Sequence, residues 1–592
     1  MKPLARSIVL FICCGGCFVE RKSLSRWIRS RIFWLAVMLA ALVIALGGVL
    51  IPYLISLASA DVNQPVAPIR TIPHTDVNPF GAGFFLAREV EEWKREETVK
   101  MAAEAGVGWA KQQFAWAEIE PQPGAAAAED WGKWDDIVDL CARHNIQVIA
   151  RLDRTPDWAH QSNPHLGAPP DDFTTYGDFV RRFVQHYRGR VRYIQVWNEP
   201  NLSREWGNQP VDPAAYVELL KVAYQAAKSA DPNVVVLSAP LAITLGEPHP
   251  EPGKWSAMSD LQFLEEMYQA GAAAYFDILS VNAFGMDRPP EDPADPDVLN
   301  FQRVTLQRKI MEEHGDGGKA VWFNEYGWNA APASFPDSKL IWKRVSEEEQ
   351  AAYTLRGIKM ARSRWPWAGV FNVWYFRQVG NIPADDAEYY FRMVDVDFTP
   401  RRVYYAVKDA AASLRVAGLG TFEETNPAVT ADQGWQAILD ERASGQAYLE
   451  SQVAGTSLSF TFKGSEVDLV AFRDYNGGRL LVTLDGHNVA GLPTDSQGRS
   501  YVELFNPDPH WREQLPLVRG VGRGNHVLRL TVSDEPSMMS MGARCAVDAF
   551  RVRSAARPFP MFPVVLLGLG IVVVGGLLRR EGQLHRRYGL LS

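Results

Sequence analysis

The chain has 592 residues, of which 47% are hydrophobic and 22% charged, so most of it should fold into packed cores. Its length predicts two to four domains. The formal net charge of −8, with no basic patch outside the termini, argues against nucleic-acid binding, and we expect no nucleic-acid partner. No Cys/His spacing indicates a metal site, so we expect neither a metal nor another cofactor.

An apolar run lies near each end of the chain. Residues 32–58 contain no charged side chain and are long enough to cross a bilayer as a helix. Residues 559–578 form a second uncharged run. We predict a transmembrane helix at each run, although the first could also be a signal peptide cleaved after Ala58 or Ala60.

The flanking charges predict how the chain is oriented. Arginine and lysine residues precede the first run within 1–31, and four arginines follow the second within 579–592. The positive-inside rule then places both tails in the cytoplasm. Although Arg551, Arg553 and Arg557 lie on the other side of the second run, we expect a cell-membrane protein whose body is extracytoplasmic.

Between these runs, a Pro-rich and polar stretch (59–75) predicts a linker, and the region 76–418 alternates strand-like and helical patterns. The predicted strands are Phe80–Leu86, Val107–Phe114, Gln147–Leu152, Val191–Trp197, Val234–Ser238, Asp277–Asn282, Ala320–Asn324 and Gly369–Tyr375. A helical stretch follows each one. Eight such pairs predict a closed (β/α)₈ barrel of the TIM type. An open doubly wound sheet is the alternative, but its Gly-rich phosphate turn is not matched by Phe80-Gly-Ala-Gly-Phe-Phe.

The region 421–555 has a different pattern. Short alternating stretches such as Leu458-Ser-Phe-Thr-Phe are separated by turn signals such as Asn476-Gly-Gly. This predicts an all-β sandwich, jelly-roll-like, after the α/β barrel.

Two predicted barrel strands end in a glutamate. Strand four ends in Trp197-Asn-Glu199-Pro, and strand seven ends in Phe323-Asn-Glu325-Tyr-Gly. A single glutamate after a strand is as often a helix cap as a catalytic group. Two of them at the carboxyl end of one barrel match the acid and the nucleophile that cleave a glycosidic bond.

These two motifs resemble the acid/base and nucleophile signatures of clan A glycoside hydrolases, especially the family 39 type. The resemblance covers nearly the whole barrel, including Thr155-Pro-Asp-Trp158-Ala after strand three and Trp374 on strand eight. It implies that Glu199 is the acid/base and Glu325 the nucleophile. It also implies that Asn198 binds the sugar 2-hydroxyl and that Trp374 lies under the sugar at the scissile bond. The other residues that we expect to bind substrate are Asn282, Trp158, Lys111 and Tyr326.

Two positions depart from the family pattern. Strand six reads Ser280-Val-Asn282-Ala-Phe284, so Phe284 stands where relatives often have a tyrosine that hydrogen-bonds the nucleophile, and Lys111 stands where many have an arginine. The expected function is hydrolysis of a β-linked oligo- or polysaccharide with retention. Transglycosylation by the same residues and a catalytically silent glycan-binding scaffold are the alternatives. The sandwich resembles carbohydrate-binding modules, and a role as a spacer fits it equally well.

Overall fold

The computed structural model describes residues 31–58, 70–124, 129–522, 524–535, 537, 539–554 and 559–588. They belong to two compact units, one spanning 66–553 and the other made of the two terminal segments. The predicted tail 1–31 lies outside the described residues except for Arg31, and so does the part of the predicted linker from 59 to 69.

The first part of the larger unit is a closed barrel of eight parallel strands, β1 to β8, that pair in chain order around the ring. The strands are β1 Phe80–Phe84, β2 Trp109–Ala115, β3 Gln147–Asp153, β4 Tyr193–Val196, β5 Val235–Leu237, β6 Ile278–Phe284, β7 Ala320–Gly327 and β8 Ala368–Val373. Helix α1 is the N-terminal helix Arg31–Ala58. The barrel helices are α2 Glu92–Glu104, α3 Gly132–Arg143, α4 Phe173–His186, α5 Pro213–Ala230, α6 Asp260–Gln269, α7 Val304–Glu313, α8 Glu347–Arg364 and α9 Arg402–Leu414. The prediction of a (β/α)₈ barrel is confirmed.

Local sequence signals fix several helix starts. The Asp212 carboxylate accepts a hydrogen bond from Ala215 N, and Pro213 occupies the first turn of α5. Ser346 and Glu349 form a reciprocal capping box at the start of α8. Helix α7 begins at Val304, because a separate 3₁₀ turn, Phe301–Arg303, precedes it.

Aromatic side chains fill the amino-terminal end of the barrel. The rings of Trp109, Tyr193 and Trp322 lie 4.8–5.0 Å apart between centroids. The indole nitrogens of both tryptophans donate to backbone carbonyls of the segment before β1. The interior of the barrel is therefore closed at this end by a packed apolar floor, and barrel enzymes place their polar chemistry at the opposite, carboxyl end of the strands.

After the barrel come twelve strands that form two antiparallel six-stranded sheets. They are β9 Gly420–Glu423, β10 Val429–Ala431, β11 Gln436–Leu439, β12 Ala447–Ser451, β13 Ser457–Lys463, β14 Glu466–Arg473, β15 Arg479–Leu484, β16 His487–Asn488, β17 Tyr501–Glu503, β18 His510–Val518, β19 Asn525–Val532 and β20 Cys545–Arg553. Phe460 of one sheet stacks on Phe550 of the other, with 4.3 Å between ring centroids. The sheets thus pack face to face, as expected of a sandwich.

The sandwich contacts the amino-terminal end of the barrel. Asp76, just before β1, accepts hydrogen bonds from Glu423 N and from the Asn426 side chain, each at 2.9 Å. Leu439 N donates to the Asn233 side chain, which precedes β5, at 3.1 Å. Arg70 and Thr75, which were predicted to lie in a linker, are buried in this unit. The sandwich therefore lies at the end of the barrel away from the two glutamates.

The second unit consists of α1 and a C-terminal helix, α10 Met561–Tyr588. Both helices are long and apolar enough to cross a membrane, over Arg31–Leu54 and Met561–Gln583. They pack on each other: Tyr53 meets Phe559 edge to face at 5.1 Å, and Leu42 lies against Gly570. The C-terminal helix continues ten residues past the predicted limit of 578, so part of the predicted tail 579–592 is helical.

Candidate active site

Glu199 follows β4 on a backbone that few residues adopt. Trp197 and Glu199 have φ angles of +72° and +42°, in the left-handed region that disfavours residues other than glycine. The surroundings hold this conformation, because the Trp197 indole donates to Glu205 O at 2.9 Å and Glu199 N donates to Pro240 O at 3.1 Å. Backbone strain of this kind is concentrated at functional sites, and here it fixes where the Glu199 side chain starts.

Glu325 lies on β7 itself and is 8% exposed. A register shift between β6 and β7 places Asn282 directly opposite Glu325. The Lys111 ammonium, on β2, donates to Glu325 Oε1 at 2.8 Å, and the Lys111 side chain is only 3% exposed. Burial lowers the pKa of Lys111, whereas the Glu325 charge opposes that shift. The two groups form a buried ion pair, so Glu325 has a fixed positive partner.

Glu199 has no such partner. Asn282 Nδ2 donates to Glu199 Oε1 at 2.7 Å, and the closest cation, Arg204 Nη2, lies 3.9 Å from Glu199 Oε2. Burial and the neighbouring charges of Glu325 and Glu205 raise the pKa of Glu199 well above the usual range of a carboxyl group, and Arg204 and Asn282 only partly oppose this. Glu199 is therefore the carboxyl of the two that retains its proton at neutral pH.

Together the two carboxyls have complementary properties. One is protonated and can donate a proton, and the other is held by an ammonium and can act as a nucleophile or base. Environments that separate two neighbouring carboxyl groups in this way are what acid-and-nucleophile catalysis of glycosyl transfer requires. The site also lies at the carboxyl end of the strands, where barrel enzymes place their reactive groups.

Asn282 and Lys111, which the sequence predicted to bind substrate, each donate a hydrogen bond to one of the two carboxyls. Asn282 could have bonded either a sugar hydroxyl or Glu325; its amide instead donates to Glu199 and its oxygen accepts from Asn324 Nδ2 at 3.2 Å. The phenyl ring of Phe284 packs against Phe391 and Trp342. Lys111 thus supplies the hydrogen bond to Glu325 that Phe284 cannot make.

Asn198 and Trp374 are placed to meet a ligand. Asn198 is 7% exposed, and no protein group hydrogen-bonds its Oδ1 within the described residues. The Trp374 ring lies 5.1 Å from Lys111 Nζ and is partly exposed. Gly83 of β1 makes room for this ring, since a Cβ there would come within 2.9 Å of it.

Trp158 lies in the turn that follows β3 and is partly exposed. Its indole donates to Glu120 O at 3.0 Å, and its ring packs edge-on against Trp116. None of its hydrogen bonds or ring contacts within the described residues involves Glu199 or Glu325.

The structure does not support substrate binding by Tyr326. The Tyr326 side chain points out of the barrel and is fully buried against the surrounding helices. Its hydroxyl donates to Thr354 O of α8 at 2.7 Å. Residues alternate between the two faces of a strand, so with Glu325 facing inward its neighbour faces the helices. Tyr326 therefore packs the barrel against α8.

Sequence reasoning missed two ionisable groups at the site. Arg204 follows Glu199 by five residues, in a short turn whose position no motif signals. Glu388 lies in the long segment after β8; burial, and then the charges of Glu325 and Asp386, raise its pKa to about 7. The stretch around Glu388 has no sequence pattern that marks a site, so only the fold places it there.

No protein-family model matches the chain, and no curated protein matches it. Among solved structures, it is similar to a family 39 glycoside hydrolase from the gut symbiont Bacteroides cellulosilyticus WH2 (17% identity, 78% of this chain and 82% of that chain, TM-score 0.42). It is also similar to a monomeric beta-xylosidase from Caulobacter crescentus CB15 (16% identity, 78% and 97% covered, TM-score 0.43). A third is the GH39 enzyme from Xanthomonas axonopodis pv. citri (16% identity, 80% and 96% covered, TM-score 0.44). Nothing about substrate or residue roles follows from similarities at this level.

Proposed function

We propose that this chain is a retaining glycoside hydrolase that cleaves a β-linked glycan by double displacement. The observation that carries the proposal is the unequal environment of two neighbouring carboxyls. Glu325 is paired with a buried ammonium at 2.8 Å, whereas burial and the Glu325 charge keep Glu199 protonated. The resemblance of both strand ends to clan A glycoside hydrolases supports the same assignment.

In the first step, a Glu325 oxygen attacks the anomeric carbon while Glu199 gives its proton to the leaving glycosidic oxygen. The bond from the anomeric carbon to the leaving group breaks, and a covalent glycosyl-ester of Glu325 forms. Asn282 holds the Glu199 carboxyl at 2.7 Å during this step. Lys111 donates a hydrogen bond to Glu325 and holds it in place.

In the second step, Glu199 is now a carboxylate and removes a proton from water. The water oxygen attacks the anomeric carbon, the ester bond breaks, and Glu325 is regenerated as a carboxylate. Two inversions leave the configuration unchanged. The unpartnered Oδ1 of Asn198 would accept from the sugar 2-hydroxyl, and the Trp374 ring would support the apolar face of the sugar.

We further propose that the enzyme acts outside the cell, anchored in the cell membrane through the two terminal helices, with both termini cytoplasmic. The apolar spans and their flanking charges support this arrangement. Because the sandwich packs on the end of the barrel opposite the carboxyls, it would act as a support that does not line the catalytic cleft.

A silent scaffold fits the site less well. A buried ion pair costs desolvation energy, and replacement by apolar residues is often neutral or stabilising. A protein without catalysis therefore gains nothing from the Lys111–Glu325 pair or from the strained backbone at Glu199. Transglycosylation uses the same residues and differs only in the acceptor. Product analysis with and without added acceptor sugar distinguishes it from hydrolysis.

The experiment that tests the proposal is the Glu325→Ala variant of the full chain in detergent, assayed on a panel of aryl β-glycosides. We expect activity to fall at least about a thousandfold and azide to restore it by forming a glycosyl azide of inverted configuration. Glu313→Ala, on the exposed side of α7, is the control and should retain full activity. Retained activity in Glu325→Ala would overturn the assignment.

A further inference from the structure

Three arginines at the carboxyl end of the barrel have no close carboxylate partner. Arg88 follows β1, Arg154 directly follows β3, and Arg204 follows β4. Neither Arg88 nor Arg154 forms an ion pair or side-chain hydrogen bond within the described residues. The nearest acidic oxygen to Arg204 is Glu199 Oε2, at 3.9 Å, which is beyond hydrogen-bonding distance.

The deeper cations of the same site differ from these arginines. Lys111 lies 2.8 Å from Glu325 and Arg151 lies 2.8 Å from Asp153. Each deep cation is therefore matched by one carboxylate and contributes little net charge. The three arginines at the mouth have no such partner within hydrogen-bonding distance.

Contacts place two of these arginines beside the proposed catalytic groups. Arg204 is the nearest cation to Glu199, and its side chain is 66% exposed. The Arg88 guanidinium lies 5.3 Å from the Phe85 ring, and that ring meets Trp374 edge to face at 5.7 Å. Arg204 is thus next to Glu199, and Arg88 is linked to Trp374 through the Phe85 ring.

In the free protein the charges of the arginines are unfavourable for one another and for the acid role of Glu199. The charges of Arg151 and Arg154 lower the pKa of Arg88, after burial, which shows that like charges repel there. Arg204 in turn opposes the raised pKa that Glu199 needs as an acid. The charges of Arg204 and Arg88 also oppose the raised pKa of Glu388. A bound anion would offset both the repulsion among the arginines and the effect of Arg204 on Glu199.

We propose, on the basis of the glycosidase function above, that the substrate carries a negatively charged substituent and that Arg88, Arg154 and Arg204 bind it. Guanidinium groups bind carboxylates and sulfates through paired, charge-assisted hydrogen bonds. The substrate class is therefore an acidic glycan, in which the charge is a uronate carboxylate or a sulfate ester.

The test compares matched aryl β-glycosides that differ only at carbon 6. Each sugar (glucose, galactose and mannose configurations) is offered to the full chain as the neutral glycoside, the uronide and the 6-sulfate. We expect kcat/KM for one anionic form to exceed that of its neutral counterpart at least about tenfold, with the advantage falling as salt is raised. Whether the uronide or the sulfate is preferred identifies the source of the charge.

The variants Arg88→Gln, Arg154→Gln and Arg204→Gln then assign the contact. The ratio of anionic to neutral kcat/KM cancels any general effect on Glu199, and we expect at least one variant to lower it about tenfold. Arg181→Gln, on the exposed face of α4, should leave the ratio unchanged. Neutral glycosides cleaved as well as the anionic forms, with no ratio change in any variant, would overturn this inference alone.

A measurement without turnover separates this inference from the function. Calorimetry on Glu325→Gln compares binding of uronate-containing oligosaccharides and of sulfated oligosaccharides with that of neutral ones of the same length. Preferential binding of the acidic oligomers supports the inference even if no aryl glycoside is cleaved. Equal or weaker binding contradicts it, and a wild-type chain that cleaves no glycan or glycoside contradicts the proposed function instead.

Discussion

The two strand ends that carry Glu199 and Glu325 have similar sequences, Trp-Asn-Glu-Pro and Phe-Asn-Glu-Tyr, but opposite electrostatic surroundings. Glu325 lies within β7, next to the register shift against β6, and contacts a buried lysine. Glu199 lies beyond the end of β4, on left-handed backbone, and has only an amide donor at 2.7 Å. The role of each carboxyl is therefore set more by its partners on other strands than by its own sequence motif.

Asn282 of β6 connects the two ends. Asn282 is opposite Glu325 in the strand register, but its amide donates a hydrogen bond to Glu199. The hydrogen bond to Glu325 comes from Lys111 of β2. Each carboxyl therefore depends on a residue that is distant in sequence. Removing these partners one at a time should show whether the two environments differ as described.

Among these substitutions, loss of Glu199 should have the largest effect on kcat/KM. In Glu199→Ala, we expect kcat/KM for substrates with poor leaving groups to fall about 10²- to 10⁴-fold, since proton donation is lost. Substrates with a dinitrophenolate leaving group, which needs no proton, should lose far less in the first step. Steady-state kinetics across a leaving-group series measures this, and a uniform loss across the series would contradict the role of Glu199 as acid.

In the wild type, the activity that depends on protonated Glu199 should be present at neutral pH and decline as pH rises through its raised pKa. Glu199→Ala should lack that alkaline decline.

Lys111→Met should have the next largest effect, because it leaves Glu325 buried without a cation. We expect a loss of unfolding free energy of about 3 kcal/mol and a decrease in kcat/KM of roughly a hundredfold. Denaturant titration and steady-state kinetics measure these changes.

Lys111→Arg keeps the charge and should recover part of the activity, and Lys133→Met removes an exposed partner of Glu118 as a control. An unchanged kcat/KM in Lys111→Met would show that the contact with Glu325 does not contribute to catalysis.

Asn282→Ala should have the smallest effect. Its hydrogen bond lowers the pKa of Glu199, so its loss should raise that pKa further and move the alkaline limb of kcat/KM to higher pH. A decrease in kcat/KM of about tenfold at neutral pH accompanies this, as expected for one hydrogen bond to a carboxyl. Asn488→Ala, in the sandwich, is the control. A limb that moves to lower pH would contradict the contact.

The sequence was sufficient to predict the barrel, because each strand–helix pair has its own periodicity and several helices have local caps. It also predicted the sandwich and both terminal apolar helices. Glu199, Glu325 and Asn198 were found because they belong to contiguous motifs at strand ends. These features depend on residues close together in the chain.

What the sequence could not predict depends on contacts between distant residues. Tyr326 belongs to the Glu325 motif, but strand alternation turns it toward α8. The pairing of Asn282 with Glu199 depends on a register shift between β6 and β7, which no local pattern encodes. Glu388 and the arginines Arg88, Arg154 and Arg204 come from four different loops, and only closure of the barrel brings those loops to one end.

The central claim is that Glu325 forms a covalent bond with the sugar while Glu199 handles the proton. Incubation with an activated 2-deoxy-2-fluoro-β-glycoside should trap that ester, because fluorine slows both steps whereas the activated leaving group restores the rate of the first step only. Mass spectrometry of the digested protein should find one sugar on the peptide that contains Glu325, and none in Glu325→Gln. A label on Glu199, or release of a product with inverted configuration and no labelled peptide, would contradict the account.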